Sequence, residues 1–202
     1  MPNSTTMAGG RGSRSGATRE KILDAALTLF ARNGFDATAT KDIAERAGVP
    51  NGLIFYHFST KEELLDTLVQ ERSVLNDLAP LLESIQRDDP RTMLEAIGRD
   101  FYTLLLKHRE MVQLLLREMH SERQIARRFR EMRETGIGMV AGLLDGHVKN
   151  GQLEPVDTLA LARLFMSGVV LTAIADRPDQ PEEYIRASVD IVLRGIERSP
   201  DA

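Results

Sequence analysis

Apolar side chains recur at spacings of three and four along most of this chain, the period of an amphipathic α-helix. Ile22, Ala25, Ala26, Leu29 and Phe30 form the first stripe, which predicts a helix over Thr18–Asn33 closed by Asn33-Gly34. Ile43 and Ala47, then Ile54 and Phe58, mark two short helices. Leu64, Leu65, Leu68, Leu75, Leu78 and Leu82 predict a longer helix from Lys61 to about Gln86, with Pro80 placed to kink or break it. Thr60 and Glu63 fit a capping box at its start. Asp88-Asp89-Pro90 opens the next, whose stripe of Met93, Leu94, Ile97, Phe101, Leu104 and Leu105 runs to His108. Further helices are expected over Glu110–Met119, from Ser121 to about Lys149, and over about 157–176 and 181–197. The expected fold class is all-α, with about nine helices.

The two short helices lie in Thr40–Ser59, TKDIAERAGVPNGLIFYHFS. Gly48 can take the left-handed backbone of a sharp bend. Pro50 suits a helix start, where no amide hydrogen is needed. Ala44 is small where two helices cross closely. Asn51, Gly52, Phe55, Tyr56 and His57 occupy the outer face of the second helix. This is the layout of a helix-turn-helix, whose second helix enters the DNA major groove. An ordinary helical hairpin shares the pattern.

The flanks add specificity. Upstream is an Arg-Glu-x-Ile-Leu-x-Ala-Ala helix and an Asn-Gly-Phe break. Then come Asp-Ile-Ala-x-x-Ala-Gly-Val, Tyr-His-Phe and Lys-Glu-x-Leu, all within residues 17–65. In this order and spacing they resemble the DNA-binding domain of the TetR family of bacterial repressors. The resemblance implies a helix-turn-helix domain over 17–65 and a ligand-binding and dimerisation domain over 66–202, with 1–16 a disordered tail. Thr40 and Lys41 match positions that contact phosphate and sometimes a base. Asn51, Gly52 and Leu53 match the base-reading start of the recognition helix, and Asn51 could pair with adenine. Phe55, Tyr56 and His57 match an aromatic cluster that reaches the DNA backbone, and Lys61 a lysine that contacts phosphate. Phe55 stands where many relatives have tyrosine, so one phosphate-bound hydroxyl is missing. Gly52 and Leu53 offer little hydrogen bonding, which shifts readout toward DNA shape.

Composition narrows the alternatives. The chain has 202 residues and no cysteine, which excludes a disulfide scaffold and a thiolate zinc site. No eighteen-residue apolar run and no apolar N-terminal signal are found, so a cytoplasmic protein with no membrane partner is expected. Net charge is −4, but residues 1–58 hold seven Lys/Arg against five acids, a balance of +2. The remainder carries −6, so the cations needed against phosphate lie at the N-terminal end. The tail MPNSTTMAGGRGSRSG reads as a plain solvated segment; the sharper alternative is an arm whose Arg11 and Arg14 touch DNA.

Arg127, Arg128, Arg130 and Arg133 read as a solvated helix face with ion pairs, or as a second nucleic-acid site. Gly136, Gly138, Gly142 and Gly146 in one helix permit close packing, leave room for a ligand, or mark a kink. The segment 157–176 is apolar around most of its circumference, and 181–197 carries two stripes, so both need covering on two sides. By resemblance they form a four-helix homodimer interface, which suits a palindromic operator in double-stranded DNA.

No phosphate loop, metal-ligand spacing or nucleophile elbow appears, so neither catalytic residues, nor a metal, nor a cofactor is expected. The histidines 57, 108, 120 and 147 are scattered, though a joint site of His108 and His120 stays open. The expected function is a ligand-responsive, dimeric transcriptional repressor and not an enzyme. Candidate lining for a small apolar effector is Phe101 and Leu105, then Met111, Leu115 and Met119, then Met139 and Leu143, and finally Phe165, Met166 and Val169. All of these also read as core. A small helical enzyme and a helical protein-interaction module are the competing classes.

Overall fold

The computed structural model describes residues 10–119, 124–176, 179–194 and 196. Among them are ten α-helices and no strand. The chain divides into two compact units. One holds the chain up to Arg72 together with Glu110–Ala126; the other holds Ser73–Arg109 and the chain from Arg127 onward.

In the first unit, α1 spans Gly10–Asn33, α2 Thr40–Ala47, α3 Gly52–His57, α4 Lys61–Glu71 and α7 Arg109–Glu118, nearly all of which belongs here. The stretch 10–16, expected as unstructured tail, is helical. Growth of an existing helix needs only one hydrogen bond per residue, so the packed part of α1 can extend backward. Residues 1–9, and the side chains of Arg11 and Arg14, lie outside the described residues. The stripe read from the sequence is the observed core. Ile22, Leu23, Ala26 and Phe30 of α1 are buried with Ile43 and Ala44 of α2, Ile54 of α3, and Leu64 and Leu68 of α4.

Helix α7 is fastened along α1. Glu110 Oε2 accepts from Thr28 Oγ1 at 3.3 Å, Arg117 Nη1 donates to Arg32 O at 2.6 Å, and Glu118 Oε1 accepts from Phe35 N at 3.3 Å. Arg117 thereby satisfies a carbonyl that the end of α1 leaves without a helical partner.

The second unit contains α5 (Leu75–Ser84), α6 (Pro90–Lys107), most of α8 (Gln124–Lys149), α9 (Thr158–Leu171) and α10 (Pro181–Leu193), with a π-helical turn at Thr172–Asp176. Asp89 caps α6 through Thr92 N at 2.7 Å, with Pro90 beside it, and Asp157 caps α9 through Ala160 N at 2.9 Å. The single helix expected over 61–86 is two. It breaks at Arg72–Val74, while Pro80 sits inside α5. Arg72 is held there by Glu20 and Asp24, and the Ser73 hydroxyl accepts from Leu75 N at 3.3 Å. Gly98 of α6 marks a close crossing. A Cβ there would lie 2.6 Å from Ile185 Cγ2 and 3.0 Å from Phe165 Cζ. Helix α9 and its π turn, Thr158–Ala175, are long and apolar enough by composition to cross a membrane. Arg163 within it makes a two-pronged ion pair with Glu134 at 3.0 and 2.6 Å, as a helix packed on α8 would.

Candidate nucleic-acid interface

Local chemistry sets the shape of α2, the turn and α3. Gly48 closes α2 with φ +67° and ψ 37°, a conformation that penalises a side chain. Its amide donates to Glu45 O at 3.1 Å, and Val49 N donates to Ala44 O at 3.0 Å, so both amides of the bend are bonded. Pro50 lies in the turn, where its carbonyl accepts from Leu53 N at 2.9 Å. Ile54 is completely buried and Phe58 nearly so, so the short α3 is anchored by one face.

The opposite face stands in solvent. Phe55 is 51% exposed and Tyr56 74% exposed, side chains large enough to be inside if stability alone decided. Asn51 and Gly52 are exposed, Leu53 and His57 half-buried. The Tyr56 ring meets His57 edge-on with centroids 5.0 Å apart, which limits the directions its hydroxyl can take. Gly52 has open space where a Cβ would be, so packing within this chain does not call for a glycine there.

The adjoining start of α2 is equally open. Ala39 occupies its N-cap without a side-chain cap, Thr40 is half-buried and Lys41 exposed. Thr60, by contrast, caps α4 by accepting from Glu63 N at 3.0 Å, and Glu63 Oε2 reaches back to Ser59 N at 2.7 Å. Lys21 and Arg46 face an open cleft between α1 and α2, shared with Asp24, Ala25, Thr28 and Ala47. Together these elements offer cations, aromatic rings and an open helix start, the inventory suited to phosphate and base edges.

Lys61 is placed differently. Its ammonium donates inward to Phe35 O at 2.9 Å and Thr38 O at 3.0 Å, and lies 4.3 Å from the Phe35 ring centre.

The sequence agrees with the geometry. The model of the family "Bacterial regulatory proteins, tetR family" matches residues 22–68, the span of this motif. The HTH-type transcriptional repressor KstR2 of Rhodococcus jostii is 31% identical over 164 residues, covering 77% of this chain and 78% of that protein. The chain belongs to the TetR family. It is a DNA-binding transcriptional regulator, and its relatives are regulators rather than enzymes. The Bacillus subtilis fatty acid metabolism regulator protein is 24% identical over 156 residues, covering 74% of this chain and 78% of its own. The solved structure of the ketosteroid transcriptional regulator KstR2 of Mycobacterium tuberculosis shares the fold at a TM-score of 0.68 and 20% identity. It covers 98% of this chain and all of its own.

The expected effector-lining residues of this TetR-family regulator are drawn from both units. Phe101, Leu105, Phe165, Met166 and Val169 are buried in the second unit, with Leu143 half-buried. Met139 stands at its surface. Met111 and Leu115 are buried in the first unit, with Met119 half-buried there. No group of three His, Asp or Glu side chains that could hold a metal occurs among the described residues. His147, buried on α8, contacts Gln152 Oε1 at 2.7 Å and Met93 Sδ at 3.3 Å. His108 bonds Asp77 at 2.9 Å, while His120 lies outside the described residues. The clasp from Arg19 to Glu71 has no signature in the sequence, because its partners are 52 residues apart and no local pattern announces them.

Proposed function

We propose that the chain is a ligand-responsive, cytoplasmic repressor that binds a palindromic operator as a homodimer. DNA reading resides in residues 17–65, steadied by α7, and ligand binding and dimerisation in the remainder. Thr40, Lys41, Asn51, Gly52, Leu53, Phe55, Tyr56 and His57 meet the DNA. The observation that carries this reading is the exposure of Phe55 and Tyr56 on a helix whose inner face is anchored by Ile54. With Gly52 and Leu53 poor in hydrogen-bonding groups, discrimination among sequences leans on Asn51, methyl contacts and groove shape.

Two copies pair through α9 and α10. Leu164, Leu171 and Ile191 are 71%, 60% and 72% exposed, and Leu159 and Tyr184 add to the same two helices. Apolar exposure on this scale supports a partner surface. Gly168 leaves open space between Leu164 and Leu171, where a second helix can approach closely.

The effector is small and apolar, held near Phe101, Leu105, Phe165, Met166 and Val169. The names of two relatives, a ketosteroid regulator and a fatty acid metabolism regulator, support that chemical class. To release the operator it must bind the two states of the protein with different affinity, since equal affinity shifts nothing.

Selection from randomised duplex DNA tests the reading. A palindromic consensus with half-sites about one helical turn or a multiple apart is expected. Recovery of unenriched sequence contradicts it.

A further inference from the structure

We propose that Lys61 is a positioning residue for operator binding and does not itself touch phosphate. The inference rests on the DNA-reading function proposed for α2 and α3. The ammonium donates to Phe35 O at 2.9 Å and Thr38 O at 3.0 Å, and stands 4.3 Å from the Phe35 ring centre. The first residue of α4 is thereby tied to the turn that precedes α2. The two bonds span 26 and 23 residues of sequence, and the loop they close contains the whole helix-turn-helix.

The placement is informative because it is locally unfavourable. A cation in the first turn of a helix faces the positive end of the helix dipole. Glu62 and Glu63, next in the chain, have the sign that end prefers. Lys61 is retained against that tendency by two carbonyls and an aromatic face, a set of partners suited to an ammonium. The turn it grips has bonds of its own. Thr38 is buried, and its hydroxyl donates to Gly34 O at 2.7 Å. On the far side of Phe35, the backbone N–H donates to Glu118 Oε1 at 3.3 Å. The peptide groups flanking Phe35 are therefore held from α4 and from α7 at once. Thr40 and Lys41 follow directly, so the clamp fixes where the open start of α2 stands relative to α3.

Two measurements on the full chain test this. The first is operator affinity against salt for wild type, Lys61→Met and Lys41→Gln, on the duplex recovered by selection, at a temperature where melting curves show each protein folded. Lys61→Met keeps the stem over Phe35 and removes the donors. It is expected to bind about tenfold more weakly with the wild-type salt slope. Lys41→Gln should flatten the slope by about 0.9 for each phosphate that is no longer neutralised. A slope for Lys61→Met that flattens as it does for Lys41→Gln overturns the proposal, as does wild-type affinity. The second measurement uses no DNA. Amide hydrogen exchange across residues 34–43 should quicken several-fold in Lys61→Met while α9 and α10 are unchanged. Unchanged exchange across 34–43 also overturns it. A wild-type chain that selects no duplex refutes the DNA-reading function itself, and the exchange experiment still decides whether Lys61 holds the turn.

Discussion

Gly98 and Ile185 touch so closely that no side chain fits between them. A Cβ on Gly98 would stand 2.6 Å from Ile185 Cγ2 and 3.0 Å from Phe165 Cζ. Gly98→Ala should therefore overpack the α6–α9–α10 crossing and cost about 1–3 kcal/mol. Gly142→Ala is the matching control. Its Cβ meets nothing within 4 Å, so it should gain about 0.5–1 kcal/mol from helix propensity alone. Thermal unfolding of both variants beside the wild type checks the pair of opposite signs.

Tyr56 and Ile54 separate binding from folding. Tyr56→Ala removes a side chain that is 74% exposed, so the melting temperature should hold while operator affinity falls about tenfold, the scale of one hydrogen bond to a charged group. Ile54→Ala empties a fully buried site and should cost about 2–5 kcal/mol of stability. Anisotropy titrations and melting curves of both variants distinguish the two faces of α3.

The clasp between α1 and α4 gives a pH prediction. The bidentate Arg19–Glu71 hydrogen bonds, at 2.8 and 2.6 Å, hold the Glu71 carboxyl below its ordinary pKa. A depressed folded pKa contributes stability above the unfolded value, near 4.3, and that stability fades as pH falls through the folded value. Both side chains are about a third exposed, so solvent screening limits the effect to under about 1 kcal/mol. Glu71→Gln should lower the melting temperature slightly at pH 7 and by progressively less below pH 4. Melts across that range check the convergence.

Leu164 and Ile191 carry the dimer prediction. Leu164→Glu or Ile191→Glu should convert the proposed dimer to monomer, with helix content unchanged, because both residues are more than 70% exposed within one chain. Sedimentation velocity reads the mass, and circular dichroism the fold. A monomeric wild type would contradict the proposed interface.

Features legible in the sequence have a local cause. The Gly48 bend, the Thr60–Glu63 cap and the Asp89 cap each depend on residues within a few positions, so spacing exposes them. The break at Arg72–Val74 depends on Glu20 and Asp24, about fifty positions away, whereas the more conspicuous Pro80 is accommodated inside a helix. The docking of α7 is the larger surprise. Nothing in its periodicity announces that Thr28, Arg32 and Phe35 are its partners. The glycines of α8 are indistinguishable in sequence because they differ only in surroundings. A Cβ on Gly136 would lie 3.2 Å from Leu78 Cδ2, whereas on Gly138, Gly142 or Gly146 it would meet open space.

The most direct test of operator reading by α3 uses the absence of cysteine from the chain. Gly52→Cys places a single thiol where a Cβ has open space, and it can carry a chemical nuclease. On the selected duplex, cleavage should centre on two positions related by the operator's two-fold axis, about one helical turn or a multiple apart. The same reagent on Gly142→Cys should leave the duplex uncut. Uniform cleavage from Gly52→Cys, or a pattern shared by both variants, would contradict the placement of α3 in the major groove.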